Sequence, residues 1–190
     1  MQTGAKGASV QKLQQQLAAA GFDPGPADGD FGPRTRRAVE QLQQCCGLKP
    51  DGVAGPQTLA ALALLLPHQP QPGRRLGPHF AETEFACRCC GLVRVNPRLV
   101  HLLEQLREQL GGKPVVINSA YRCAAHNRAV GGARQSQHLP GNAADIAVTG
   151  AAPGEVAAAA EKIGFAGVGR YAGFTHVDVR AGGKARWVCT

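Results

Sequence analysis

Apolar residues recur at helical spacing three times in the first third of the chain. Val10, Leu13 and Leu17 form one stripe, Ala38, Val39 and Leu42 a second, and Leu59, Leu62 and Leu66 a third, which predicts three short helices. A longer stripe of Leu99, Leu102, Leu103, Leu106 and Leu110 predicts a helix over residues 96–110, ended by Gly111-Gly112. After it the period shortens. Val115-Val-Ile-Asn118 is an apolar strand signal, and Asp145-Ile-Ala-Val148 and His176-Val-Asp-Val179 are strand-like runs that each hold an aspartate. Residues 67–78 contain four prolines and two glycines, a density that no helix or central strand survives, and read as a semi-rigid linker. The pattern predicts a helical domain over 1–66, a linker over 67–78 and a second domain over 79–190.

Composition narrows the function classes. The 190 residues are 44% hydrophobic and 18% charged, and no apolar run approaches the roughly 20 residues of a membrane span. Transmembrane, collagen-like and wholly disordered chains are therefore not expected. Aromatics are 5% of the chain, so the core must be built mainly from Ala, Leu and Val. The net charge of +8 is concentrated after residue 70, where fifteen Lys and Arg face eight acids. Such an excess attracts anionic partners. The arginines are scattered singly, without the basic stripe and interleaved aromatics of a nucleic-acid surface, so no nucleic acid is expected. A polyanionic polymer such as bacterial cell wall fits the charge. Met1 to Ser9 has no apolar stretch behind its lysine, so no secretory signal is visible in this chain.

The helical region carries a repeat. Asp28-Gly-Asp-Phe-Gly-Pro-Arg-Thr35 recurs as Asp51-Gly-Val-Ala-Gly-Pro-Gln-Thr58, an offset of 23. Each copy reads as a turn followed by a helix start, with Pro33 or Pro56 suited to the first helical position. With Leu13-Gln-Gln-Gln-Leu17 before them, these turns resemble the three-helix peptidoglycan-binding domain of bacterial cell-wall hydrolases, over nearly all of residues 6–66. The resemblance implies peptidoglycan as partner. No residue is marked as touching a glycan.

The second region carries the chemistry. Its only aspartates, Asp145 and Asp178, both sit in apolar strand-like runs, where a carboxylate is costly to bury unless a metal or cation neutralises it. Strand alternation puts His176 and Asp178 on one face. His138 lies seven residues before Asp145, with Pro140-Gly141 between to turn the chain back. Two imidazoles and one carboxylate with an open fourth position are the donor set of a catalytic zinc site. Ser136-x-His138-x-x-Gly141-x-Ala143-x-Asp145, followed by His176-x-Asp178, resembles the zinc D-alanyl-D-alanine carboxypeptidases and related peptidoglycan peptidases, over roughly residues 79–190. The resemblance implies an α+β fold: a small antiparallel sheet with helices to one side, carrying a zinc site and preceded here by the separate three-helix domain. It further implies Zn2+ held by His138, Asp145 and His176, with Arg122 holding a substrate carboxylate and Ser136 touching substrate. Many relatives place an acid or histidine two or three residues before the last ligand as general base. Here those positions are Phe174 and Gly173, which leaves Asp178 as the expected base, or as a group orienting His176.

The expected activity is hydrolysis of peptidoglycan stem peptides, as a carboxypeptidase because Arg122 suits a free carboxylate. Endopeptidase action on crosslinks is the alternative, and a non-catalytic zinc-stabilised wall-binding protein a second. An iron oxygenase site is disfavoured because no histidine follows Asp178. The expected setting is extracytoplasmic, at the cell wall, as a monomer. In that setting the seven cysteines are expected to form disulfides, with Cys123 bridged to Cys87 or Cys90. The alternative is a structural zinc site built on Cys87-Arg-Cys89-Cys90 with Cys123 and Cys189. Cys45 and Cys46 read as buried thiols.

Overall fold

The computed structural model describes residues 1–189 and divides into two compact units, Met1–Leu66 and Pro67–Thr190. The first unit holds α1 (Ala8–Ala20), α2 (Pro33–Cys45) and α3 (Pro56–Leu64). Pro33 and Pro56 open α2 and α3, where a missing N–H costs nothing. The three helices close on one core that includes Leu13, Leu17, Phe31, Val39, Leu42 and Leu62. The third stripe differs in phase from the expected one. Ala61, Leu62 and Leu65 are buried, while Leu59 is 37% exposed. The phase is set by Thr58, which is buried and accepts a hydrogen bond from Gln43. That hydroxyl puts positions 58, 61, 62 and 65 on the inner face.

The repeat has a physical reason. Gln14 on α1 is buried, and its amide donates to Asp28 Oδ1, Asp30 O and Thr35 Oγ1, while its carbonyl accepts from the N–H of Gly29. Gln43 on α2 does the same for the second turn, donating to Asp51 Oδ1, Val53 O and Thr58 Oγ1 and accepting from Gly52. Each Asp-Gly-x-x-Gly-Pro-x-Thr turn is thus built around one buried glutamine of the preceding helix.

The second unit follows the order of α4 (Pro97–Gln109), β1 (Val115–Ser119), α5 (Ala124–Ala129), β2 (Ala143–Val148), α6 (Pro153–Ile163), β3 (Gly167–Arg170), β4 (Thr175–Asp178) and β5 (Ala185–Val188), with a 3-10 turn at Glu82–Phe85 before them. The sheet order is β1-β2-β4-β3-β5. The first four strands pair antiparallel, as expected, but β5 runs parallel to β3. The free edge of β4 is already taken by β2, so after β4 the chain reverses and settles on the outer edge of β3. Helix α6 covers β2, β3 and β4, and α4 packs on α6. Leu99, Leu103 and Leu106 of α4 are fully buried. Helix α6 was not read from the sequence, although Pro153 opens it and Gly164 ends it in the left-handed conformation.

Residues 67–78 are not a free linker. His68 and Val93 exchange backbone hydrogen bonds of 3.0 and 2.8 Å, and Leu76 donates to Phe80 O. The fully buried carboxylate of Glu82 accepts from the Gln71 N–H at 2.7 Å and lies 3.0 Å from His68 Nε2 and 3.4 Å from Arg74. Proline removes donors from this stretch, and the backbone N–H groups of His68, Gln71 and Leu76 fasten it to residues 80–93.

Replacing Gln14 by Ala strands the Gly29 N–H and removes the donor to Asp28 Oδ1 and Asp30 O. The expected cost to the helical unit is about 1–3 kcal/mol, read as a lower midpoint of its thermal transition by circular dichroism. Gln11→Ala, which removes one exposed side-chain bond to Ala27 O, should move that midpoint little.

Candidate metal centre

Strands β2 and β4 set the site. Their register places Asp145 directly opposite His176. Ile146, Thr175 and Val177 point the other way, and Thr175 Oγ1 donates to Pro153 O at the start of α6. One face of the sheet therefore belongs to the helix layer and the other carries Asp145, His176 and Asp178. His138 arrives from the loop before β2. That loop reverses at Gly141, whose φ is +76° and where a Cβ would lie 2.4 Å from Arg94 O. Only glycine fits there, which accounts for its place in the motif.

The three side chains meet. His176 Nδ1 lies 2.8 Å from Asp145 Oδ1, His138 Nε2 lies 3.3 Å from the same oxygen, and the two ring nitrogens are 3.2 Å apart. One donor atom from each residue falls within 4.8 Å of the other two, and all three residues are buried. The outer nitrogens fix the tautomers. His138 Nδ1 sits 2.6 Å from Ala120 O, a pure acceptor, so it carries the proton. His176 Nε2 sits 3.2 Å from the carboxylate of Asp178, so it carries the other. Both inner nitrogens then present bare lone pairs to each other and to a carboxylate oxygen. Three lone pairs at that spacing repel unless a cation lies among them, and the donor set of two imidazoles and one carboxylate suits zinc.

Charge around the centre is tightly held. Arg122 donates through Nη2 to Asp145 Oδ2 and through Nε to Ser119 Oγ, the latter at 2.9 Å. Burial pushes the Asp145 carboxyl up, but the His138 and His176 rings outweigh it and hold the group well below the usual carboxylate range. Burial lowers the His176 ring, yet Asp145 and Asp178 together raise it above its ordinary value. Asp178 is fully buried. Burial raises it, while Arg180, donating through Nε and Nη2, together with His176 brings it below the usual range. A Cβ on Gly167 would fall 2.0 Å from this carboxylate, so β3 must carry glycine at that point.

The ligand atoms open on a cleft of about 680 Å³, lined among others by Arg122, Ser136, Tyr171, Phe174, Arg180 and Trp187. Arg122 and Ser136 are brought to the cleft with the three ligand residues. Asp178, expected as general base, does not line it. Its carboxylate is buried between the outer edge of His176 and the guanidinium of Arg180, the position of a group that orients His176. The aromatic wall was missed in the sequence. Tyr171 and Phe174 stack at 4.3 Å, and Trp187 lies 5.1 Å from the His176 ring and within 5.7 Å of Arg180. The His176-x-Asp178-x-Arg180 alternation could have shown that the arginine shares the face of the other two. The expected disulfide of Cys123 with Cys87 or Cys90 is not formed: these three thiols are free. Cys87, Cys90 and Cys123 meet as three around one point rather than pairing in twos. Cys46 is buried, as expected, and Cys45 half-buried.

Residues 78–178 match the family Peptidase M15. The chain belongs to the peptidase M15 family. Residues 6–62 of this M15 peptidase match the peptidoglycan binding domain family. Over 97% of its length it is 32% identical to the zinc D-Ala-D-Ala carboxypeptidase of Streptomyces albus G, of which it covers 76%. The helical region is 42% identical to the N-acetylmuramoyl-L-alanine amidase CwlL of Bacillus licheniformis, across 34% of this chain and 19% of that protein. It is also similar to the crystal structure of the SleB N-terminal domain, at 41% identity and a TM-score of 0.32, covering 33% of this chain and 86% of that one. Among the described residues no helix is long and apolar enough to cross a membrane.

Asp178→Asn replaces the carboxylate that holds the His176 proton. Zinc affinity should fall by about 10- to 100-fold, measured by competition with a chromophoric chelator, while His138→Ala should abolish binding at this centre. Unchanged affinity in Asp178→Asn would show that His176 needs no such anchor.

Proposed function

We propose that this M15 peptidase is a zinc-dependent D-alanyl-D-alanine carboxypeptidase of peptidoglycan stem peptides, acting at the cell wall. The observation that carries this reading is the convergence of His138 Nε2, His176 Nδ1 and Asp145 Oδ1 at the floor of an open cleft. The kinship with the Streptomyces albus G carboxypeptidase supports the same chemistry. A zinc ion held by these three atoms supplies Lewis acidity to a water and to a scissile carbonyl.

The remaining work belongs to the chain's own side chains. Arg122 spends one N–H on Asp145 and one on Ser119, and a guanidinium has five. Its remaining N–H groups face the cleft and suit the terminal carboxylate of a stem peptide, a charge-assisted contact with a fixed direction. Ser136 lines the same wall and is placed to hydrogen-bond the peptide backbone. Tyr171, Phe174 and Trp187 form the apolar side against which D-alanine methyl groups would rest. Asp178 is a positioning residue: it keeps His176 in the tautomer whose Nδ1 is bare. The helical unit, with its match to peptidoglycan binding domains, would hold the enzyme on the polymer and raise the local concentration of stem peptides without altering the site.

Incubation with purified muropeptides, resolved by mass spectrometry, tests the reading. The expected result is conversion of pentapeptide to tetrapeptide with release of D-alanine, abolished by a zinc chelator and restored by zinc. Conversion of crosslinked dimers to monomers instead would make the enzyme an endopeptidase. Arg122→Lys should lower kcat/KM on free-carboxylate substrates by on the order of 10- to 100-fold, with a much smaller effect on substrates amidated at the C-terminus.

A further inference from the structure

A second cluster of metal-ligating side chains lies outside the His138–Asp145–His176 centre. Cys87 and Cys90 come from the loop after the 3-10 turn, and Cys123 caps α5. Their three sulphur atoms lie within 4.8 Å of one another. The Nδ1 atom of His126, one turn into α5, is 3.3 Å from Cys87 Sγ. In sequence the four form Cys-x-x-Cys, residues 87–90, and Cys-x-x-His, residues 123–126.

The backbone around them is arranged for negatively charged sulphur. Cys87 Sγ receives the N–H groups of Cys89, Cys90 and Cys123, the last at 3.4 Å. Cys90 Sγ receives that of Leu92. Cys123 Sγ receives that of His126 at 3.4 Å. In the first loop the donors therefore come from two and three residues beyond each sulphur, because the chain folds back on itself: Gly91 donates to Cys87 O and Cys87 donates to Leu92 O, both at 2.8 Å. Gly91 makes that turn with a φ of +72°. Five N–H groups aimed at three sulphurs stabilise thiolates. A disulfide would join only two of the three, consume their charge and leave the third beside them. Three sulphurs at this separation can all be charged only around a cation.

We infer that Cys87, Cys90, Cys123 and His126 form a second, structural zinc centre. The donor set is Cys3His, which closes all four positions of a tetrahedral ion and leaves none for substrate. Zinc–sulphur bonds of about 2.3 Å place sulphurs about 3.8 Å apart, so the observed cluster needs only a small contraction. The centre ties the 87–90 loop to the segment that carries Ser119 and Arg122, one residue before Cys123. The ion thereby fixes the arginine that contacts Asp145.

The test counts metal in the full chain, purified in reductant, loaded with zinc and desalted. Two zinc equivalents per chain are expected, with the cluster thiols protected from Ellman's reagent until the metal is stripped. Cys90→Ser should lose one equivalent and His138→Ala the other. With cobalt in place of zinc, a thiolate-to-cobalt charge-transfer band should survive His138→Ala and vanish in Cys90→Ser, which separates this centre from the peptidase site. A single equivalent in the wild-type chain, with the cluster thiols freely reactive or found as a disulfide by non-reducing peptide mapping, overturns the proposal whether or not the variants fold. His126→Ala should weaken the second equivalent and shift the cobalt spectrum. An unchanged spectrum would remove His126 from the ligand set.

Discussion

Two imidazole nitrogens and a carboxylate oxygen point their lone pairs at one another, and every other feature of the second unit serves to keep them so. Left alone, the trio would relax: a ring would flip, a proton would move between His138 and His176, or Asp145 would turn to solvent. Each escape is blocked by a fixed partner on the far side. The Ala120 carbonyl holds His138 by Nδ1, Asp178 holds His176 by Nε2, and Arg122 holds Asp145 by its outer oxygen. These partners are in turn held, Asp178 by Arg180 and Arg122 by Ser119. A divalent cation among them relieves the repulsion of the lone pairs, so the contacts that hold the three donors in place favour its binding.

The sheet makes this arrangement cheap. Two of the three donors come from residues facing each other across one antiparallel pair, so strand pairing alone fixes their separation. Only His138 depends on a loop, and that loop is closed by a glycine packed on the Arg94 carbonyl. One antiparallel strand pair plus one well-anchored loop is a small set of elements for three ligands. The opposite face of the same strands is filled by apolar residues beneath α6, so the site rests on a rigid floor.

How much of this could be read beforehand follows from the range of each interaction. Period-3.6 stripes are local, and they gave α1, α2 and α4 closely. The third stripe slipped by a residue because its phase depends on Thr58 meeting Gln43, a contact from another helix. The ligand trio was legible because aspartates in apolar runs are costly without a partner. Asp178 met that description equally well. Which aspartate faces the ion depends on the register of β2 against β4 and on Arg180 reaching back, and neither is local. For the stretch 67–78, proline density speaks to its conformation and not to the buried Glu82 that gathers Gln71, His68 and Arg74. The cysteines show the same limit, since a count and a setting suggest pairs, whereas backbone N–H groups directed at sulphur appear only in three dimensions.

Arg122 joins the two clusters physically. Its guanidinium lies against Asp145, and its neighbour Cys123 contributes a sulphur to the thiolate group. The cationic side chain is held by the Asp145 carboxylate, and it lies in the wall of the cleft with Arg88 and Arg180. The excess positive charge of this half of the chain is therefore not spread as a general attraction alone. Part of it is gathered where a peptide with a free carboxylate would arrive. On the proposed reading, a guanidinium held by Ser119 and by Asp145 would meet an incoming carboxylate with little reorganisation cost. The placement of that carboxylate would then rest on the stiffness of residues 119–126, with Ser119 at one end and the proposed sulphur-bound ion at the other.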